Sequence, residues 1–487
     1  MMFAPLILEV ARQATEVAAV TPDVVAQAIA LALAASFIYL LIGVIPGTDE
    51  TATMAPLTLA LVLMGLDPRV LLAWFMAACA AFKLAHTIPT AVAALPGGVM
   101  AVPMVPYCAE MKKLGLAHVA MRKMAAGSFI GTFIGFFIAL ALAYPLATYG
   151  IAEVIKPYVK WFFLAGAIVI GLLAKARWAC LAALVPFSLL IAGCQHISKM
   201  MWGRPIVISV FMGITVGPMI FELFSLLVPT LRQQLTREGP SRIYLAPEVP
   251  YKLFPNPFKV LKRKQIALAS SLSAVTSPLF FLSPAGMTIM FGEIVAGSFR
   301  KLESPKDIAF KDATTIATMD AITSATYVAQ TIIPLMAFGI PLSPMAMGPA
   351  LPLFYAPPRF TCPPFSKELH NLHTLLTPVD YLIFGLIGIV IGLLVPNYPI
   401  AMRYARRITE LVLKYISHEA LLALFIAIVA TIGYYEAGIT GLCLTMLIAL
   451  VGGFLHKLGV HVGFQFMCFY SVSAILTLLK WAAGAGF

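Results

Sequence analysis

The chain has 487 residues, of which 61% are hydrophobic and only 11% charged, against roughly 25% charged in an ordinary soluble domain. A net charge of +12 accompanies 35 Pro and 34 Gly, and the glycines have no period of three. These figures exclude a soluble globular enzyme, a disordered chain, a disulfide-stapled secreted module and a collagen, and leave an all-α polytopic membrane protein.

Residues 1–22 form an amphipathic N-terminal segment. Met1–Val20 carries Glu9, Arg12 and Glu16 with no basic cluster at its front, unlike a cleavable signal peptide. Residues 23–230 make a first transmembrane repeat. Its first uncharged run, Val24–Thr48, exceeds the roughly 20 apolar residues that span a bilayer and leads into Ile45-Pro46-Gly47-Thr48-Asp49-Glu50-Thr51. The next, Leu84–Ala109, contains Leu95-Pro96-Gly97-Gly98; Met124–Ala152, Trp178–Ser198 and Pro205–Phe221 follow. Residues 231–264 are a basic, Pro-rich cytoplasmic linker with Arg232, Arg237, Arg242, Lys252, Lys259, Lys262, Arg263 and Lys264. Residues 265–487 are a second repeat plus C-terminal helices. Gln265–Gly292 contains Leu282-Ser283-Pro284-Ala285-Gly286, and Ala321–Pro358 contains Phe338-Gly339-Ile340-Pro341-Leu342-Ser343. Four further uncharged runs end at Leu479. In total about 10–14 membrane segments are expected, some of them re-entrant hairpins. No run has the period-two alternation of a membrane barrel.

The four interruptions come in two pairs. Pro46 and Pro284 are 238 residues apart, and Pro96 and Pro341 are 245 apart. Such near-equal offsets point to a duplicated unit of about 200 residues. Charge points to inversion. Between its two interruptions the first copy has a short link, Leu66-Asp67-Pro68-Arg69, with one basic residue, where the second has Arg300, Lys301, Lys306 and Lys311. After them the first copy has Lys112, Lys113, Arg122 and Lys123, where the second has only Arg359 and Lys367. Equivalent loops of opposite basic content are expected of two inverted-topology repeats. The excess positive charge is thus a topology signal. No basic segment is interleaved with aromatics for base stacking, so no nucleic-acid partner is expected.

Broken backbone cannot face lipid, because its N–H and C=O groups would go unpaired; it survives where it lines a cavity. There, half-helix N-termini favour anions, and carbonyls at the opposite ends favour cations. Ionisable groups inside apolar runs cost a few kcal/mol each and are functional candidates. Asp49 and Glu50 lie at the first break. Lys83 and His86 precede the second and, three residues apart, share a helix face. Asp320 and Thr323 precede the fourth. Lys83 is expected to neutralise Asp49, Glu50 or Asp320; a purely structural ion pair is the competing reading. Hydroxyls flank the same breaks: Thr48, Thr51, Thr53, Thr87 and Thr90 in the first half, and Ser283, Thr323, Ser324, Thr326 and Ser343 in the second. They can bind a carboxylate without a fixed positive charge, or bond back to their own helix. The seven cysteines form no CxxC pair and read as small apolar fillers.

These stretches resemble a known family, the large membrane permease of the tripartite tricarboxylate transporters, over about residues 25–400. The matching residues are Pro46-Gly47, Pro96-Gly97, Pro284-Ala285-Gly286, the loop Glu110-Met111-Lys112-Lys113-Leu114-Gly115, and Ile333-Pro334-Leu335-Met336-Ala337-Phe338-Gly339-Ile340-Pro341. The chain departs from the family pattern at Thr48-Asp49-Glu50, at Thr323-Ser324-Ala325-Thr326 where paired Asn is usual, and at Ser343. The resemblance implies a carboxylate carrier of a bacterial or archaeal inner membrane. It would work with a small membrane subunit and a periplasmic binding protein, or as a self-sufficient relative, for instance a homodimer.

The expected function is secondary active transport of small organic anions by alternating access, coupled to Na⁺ or H⁺, with no other cofactor or metal. Substrate would meet Pro46, Gly47, Thr48, Thr51, Thr87, Pro96, Gly97, Gly98, Ser283, Gly286, Ser324, Gly339, Pro341 and Ser343. Asp49, Glu50, Lys83, His86, Asp320 and Thr323 would serve the coupling ion, His86 as a proton relay. A membrane enzyme is the alternative, but HExxH, GxSxG, CxxC and P-loop motifs are all missing from the sequence. A channel is a second alternative without a repeated selectivity signature.

Overall fold

The computed structural model describes residues 20–46, 48, 50–149, 158–174, 176–202, 208–225, 228–229, 247, 249–282, 284–299, 304–354, 372–415, 418–460 and 462–483. The described residues form helices and no strands. Gly47, Asp49 and Ser283, and all but the end of the 1–22 segment, lie outside them.

The helices in chain order are α1 (Pro22–Gly43), α2 (Glu50–Leu63), α3 (Pro68–Ala93), α4 (Val105–Lys113), α5 (Ala117–Thr148), α6 (Val159–Leu173), α7 (Arg177–Trp202) and α8 (Ile208–Ser225), then α9 (Arg263–Thr276), α10 (Pro284–Gly297), α11 (Pro305–Ile333), α12 (Pro378–Leu394), α13 (Ala405–Tyr415), α14 (His418–Lys457) and α15 (Val462–Ala482). Eight helical stretches among the described residues are long and apolar enough to cross a membrane. The chain is a multi-pass membrane protein. Other apolar segments are cut short at the interruptions: α2 and α10 have 14 residues each, too few to span a bilayer of about 30 Å at 1.5 Å per residue.

Two compact units can be distinguished. One holds α1–α5 and α9–α13; the other holds α6–α8, α14 and α15. Each draws on both halves of the sequence.

In the first unit, α3 and α11 are the buried axes. The apolar windows of both are wholly buried, whereas that of α1 is 39% buried. Local signals set their starts. Asp67 accepts the Arg69 N–H (2.8 Å) ahead of Pro68. Ser304 and Asp307 form a reciprocal capping box around Pro305.

Glycine lets the flanking helices approach these axes. A Cβ on Gly127, Gly131 or Gly135 of α5 would lie 2.2, 2.0 or 2.5 Å from the backbone of Ala317, Ala321 or Ala325 of α11. A Cβ on Gly388 or Gly392 of α12 would lie 2.4 or 2.3 Å from the carbonyl oxygen of Ala73 or Ala77 of α3. Both series advance together, so each pair of helices runs parallel, packed through small residues four apart as membrane helices do. The packing is reciprocal: an axis from one half of the chain receives a helix from the other. Arg69 and Asp380 add an ion pair (2.8 Å) between the starts of α3 and α12.

In the second unit α8 packs along α14, where Glu436 accepts the Ser209 N–H and hydroxyl (both 2.6 Å). α14 is two helices across a kink at Ala437 and Gly438, the latter at φ +57°.

Candidate functional site

The interruptions fold back onto the helices they interrupt. α3 ends at Ala94, in the left-handed region at φ 59°. The next residues return about two turns to His86. A Cβ on Gly97 would lie 2.3 Å from the His86 carbonyl oxygen, and one on Gly98 2.4 Å from the His86 ring. The Pro-Gly-Gly signal is therefore a requirement for close approach. Thr90 Oγ1 accepts the Gly97 N–H (3.3 Å). The first interruption meets the second here: the Thr48 N–H donates to the Gly97 carbonyl (3.2 Å), and Thr48 Oγ1 lies 3.2 Å from His86 Nε2.

The second half repeats this arrangement around Gln330. α11 runs into a π-helical turn, Pro334–Phe338, that closes on Gly339 at φ +62°. A Cβ on Gly339 would lie 2.7 Å from the His373 ring. The chain then returns so that the Ser343 hydroxyl donates to the Gln330 carbonyl. Gln330 Nε2 donates to the Leu282 carbonyl (2.7 Å) at the third interruption. His86 and Gln330 are 244 residues apart, close to the offset between the interruptions themselves.

Buried polar side chains meet along α11, and most of these pairs join the two halves. Lys83 (1% exposed) forms an ion pair with Asp320 (0% exposed). The Tyr327 hydroxyl donates to Glu50 Oε1 (2.5 Å), which lies 3.7 Å from His86 Nδ1. Ser128 and Ser324 hydroxyls are 2.8 Å apart, and Thr288 and Thr323 hydroxyls 3.1 Å apart. Among the described residues, Asp320 Oδ2, Gln330 Oε1 and His86 Nδ1 are buried without a hydrogen-bond partner.

Other expected residues divide. Thr87 bonds back to the Leu84 carbonyl (2.6 Å) and Thr323 to that of Met319 (2.6 Å), the helix-internal alternative for hydroxyls. Thr51 lies against Gly348, just beyond the fourth interruption. Pro341 is buried, Pro46 and Pro96 are half-buried, and Gly286 is exposed in the first turn of α10. Tyr327, Ser128 and Thr288 are new participants. Tyr327 follows Lys83 by 244 residues, so superposing the halves by offset would have found it. Ser128 and Thr288 carried no such signal. The described residues hold no group of three or more His, Cys, Asp or Glu arranged for a metal ion.

A second polar cluster lies along α4. Lys311 Nζ is 3.1 Å from Asp312 and 3.7 Å from Glu110. Tyr107 donates to Glu293 (2.8 Å). Burial and the Glu293 carboxylate push the Tyr107 phenol above its ordinary range, so it stays a donor.

Two half-helices, α2 and α10, begin at the first and third interruptions, so their positive dipole ends lie there. Such ends favour carboxylates. The site thus offers helix N-termini, hydroxyls, one ammonium and two buried carboxylates. The family model described as Tripartite tricarboxylate transporter TctA family matches residues 29–464. No curated protein and no solved structure shows significant similarity to the chain.

Proposed function

Because the chain belongs to the tripartite tricarboxylate transporter TctA family, we propose that it is the permease that carries small organic anions, tricarboxylates among them, through the bilayer by secondary active transport. The observation that carries this reading is the convergence, within one apolar unit, of broken backbone and buried polar groups from both halves of the chain. Thr48, Gly97 and His86 meet in the first half, and Gln330, Ser343 and Leu282 in the second. Glu50–Tyr327 and Lys83–Asp320 link them. Backbone of this kind is stable in a membrane only inside protein or against a water-filled cavity, and matched breaks in two halves are where transporters bind substrate.

We assign the anion to the half-helix ends and hydroxyls beside Thr48, Gly97, Ser324 and Ser343, and coupling to Glu50, Lys83, His86 and Asp320. Movement would be alternating access between two inverted repeats. The reciprocal packing of α3 with α12 and of α11 with α5 supports two related copies. The setting would be a bacterial or archaeal inner membrane, with a small membrane subunit and a periplasmic binding protein as partners or a second copy of the chain. Enzymatic activity is not expected.

Binding tests this reading. A ligand at about 100 times its Kd stabilises the folded state by roughly 2.7 kcal/mol, enough to read as a thermal shift. Citrate, tested with and without Na⁺, should raise the melting temperature of the purified protein. A panel of di- and tricarboxylates that produces no shift under either condition contradicts it.

A further inference from the structure

We propose that Lys83 is the cation that receives the transported carboxylate, and that Asp320, displaced from it, takes up the coupled proton. This rests on the transport reading and adds to it the identity of the coupling ion.

The ion pair is buried but incompletely satisfied. Lys83 holds Asp320 through Oδ1, while Oδ2 has no hydrogen-bond partner among the described residues. Of the three hydrogens an ammonium can donate, Asp320 takes one. Lys83 can therefore turn to an arriving carboxylate without breaking a larger network. Asp320 cannot remain as it was. A buried carboxylate that loses its counter-charge is strongly disfavoured as the anion. It forms an O–H bond with a proton drawn from water on the open side. When the substrate leaves on the other side, that O–H bond breaks, the proton departs to water, and the ion pair re-forms. Each cycle moves one proton with each carboxylate charge that Lys83 neutralises.

The same geometry leaves little for a metal ion at this point. A sodium ion on Asp320 Oδ2 would stand beside the Lys83 ammonium on Oδ1, and the two like charges would oppose each other. The other link between the halves differs in kind: Tyr327 reaches Glu50 through a hydroxyl. Of the two links, only Lys83–Asp320 carries opposite full charges that an incoming anion can exchange.

The titratable groups around the pair come from each packed element. His86 lies one turn along α3, with Cys79 on the same helix beside Tyr39 of α1. Glu50 comes from α2, Cys108 from α4 and Tyr327 from α11. α5 and α10 bring the hydroxyls of Ser128 and Thr288, and Asp380 of α12 is held by Arg69.

The test uses the full chain in sealed proteoliposomes with a pH-sensitive dye inside and labelled citrate outside, free of Na⁺ and with the membrane potential clamped. An inward proton gradient should accelerate citrate uptake, uptake should acidify the lumen, and added Na⁺ should change neither. Asp320→Asn should slow gradient-driven uptake at least tenfold and abolish the acidification. The double variant Lys83→Met/Asp320→Asn leaves no buried charge unpaired. It should melt at or above the wild-type temperature, yet lose the citrate-induced thermal shift and at least nine-tenths of uptake. Wild-type uptake by the double variant would make the pair structural and overturn the proposal, as would acidification by Asp320→Asn or citrate uptake that requires Na⁺. A wild-type protein that neither binds nor exchanges citrate overturns the transport reading, and this proposal with it.

Discussion

Replacing Gly97 by Ala would put a methyl carbon 2.3 Å from the carbonyl oxygen of His86, against helix backbone. Overpacking of this kind typically costs about 1–3 kcal/mol. Gly97→Ala should therefore lower the melting temperature and weaken carboxylate binding together. Gly193 of α7 supplies the contrast, since a Cβ there has nothing within 4 Å. Gly193→Ala should be neutral or stabilise by up to about 1 kcal/mol through helix propensity. Equal destabilisation of the two variants would contradict the fold-back at His86. Charge gives a second residue-scale prediction. Asp320→Asn alone strands the Lys83 ammonium and should cost about 3–5 kcal/mol, read by thermal melting; an unchanged melting temperature would mean that the pair is open to water.

At this scale Lys83, Glu50, His86 and Asp320 were legible because ionisable groups stand out in apolar runs. Tyr327 was not read, since one more aromatic among many stands out only when the halves are superposed by offset. The hydroxyls were ambiguous for a physical reason: Thr90 bonds to its own helix and also accepts from Gly97, and composition cannot separate those uses.

Among the elements, the Pro-Gly interruptions were readable and their partners were not. Each break could be placed from local chemistry, since Pro lacks an N–H and Gly alone accepts the close approach. The fold-back of the second break onto His86 depends on tertiary contact. The stripes of small residues on α5 and α12 also went unread, because a chain rich in Ala and Gly has many such stripes and only the partner helix distinguishes them. They carry a clear prediction. Gly131 lies at the centre of the α5–α11 contact, so Gly131→Leu should separate the two helices and abolish folded, membrane-inserted protein, as read by size-exclusion profile. The hydroxyls of Ser128 and Ser324 are 2.8 Å apart. Cysteines at both positions, in a background without the native cysteines, should cross-link on mild oxidation; failure to do so would contradict the register of α5 on α11.

For the whole molecule, the membrane class follows directly from composition, whereas the grouping of elements does not. Each compact unit takes helices from both halves, a consequence of reciprocal packing that no linear division of the chain anticipates. The proposed inversion has its own test. Single cysteines at position 67, just before α3, and position 306, in the first turn of α11, should label from opposite sides of the membrane; labelling from one side would end the inverted-repeat account. The central claim is that matched breaks and buried charges serve the movement of carboxylates, and one measurement addresses it most directly: uptake of labelled citrate by sealed vesicles containing the purified chain, under imposed ion gradients. Uptake above the level of protein-free vesicles, accelerated by an inward cation gradient, is the predicted result. Uptake that ignores both proton and sodium gradients for every carboxylate tested would contradict it.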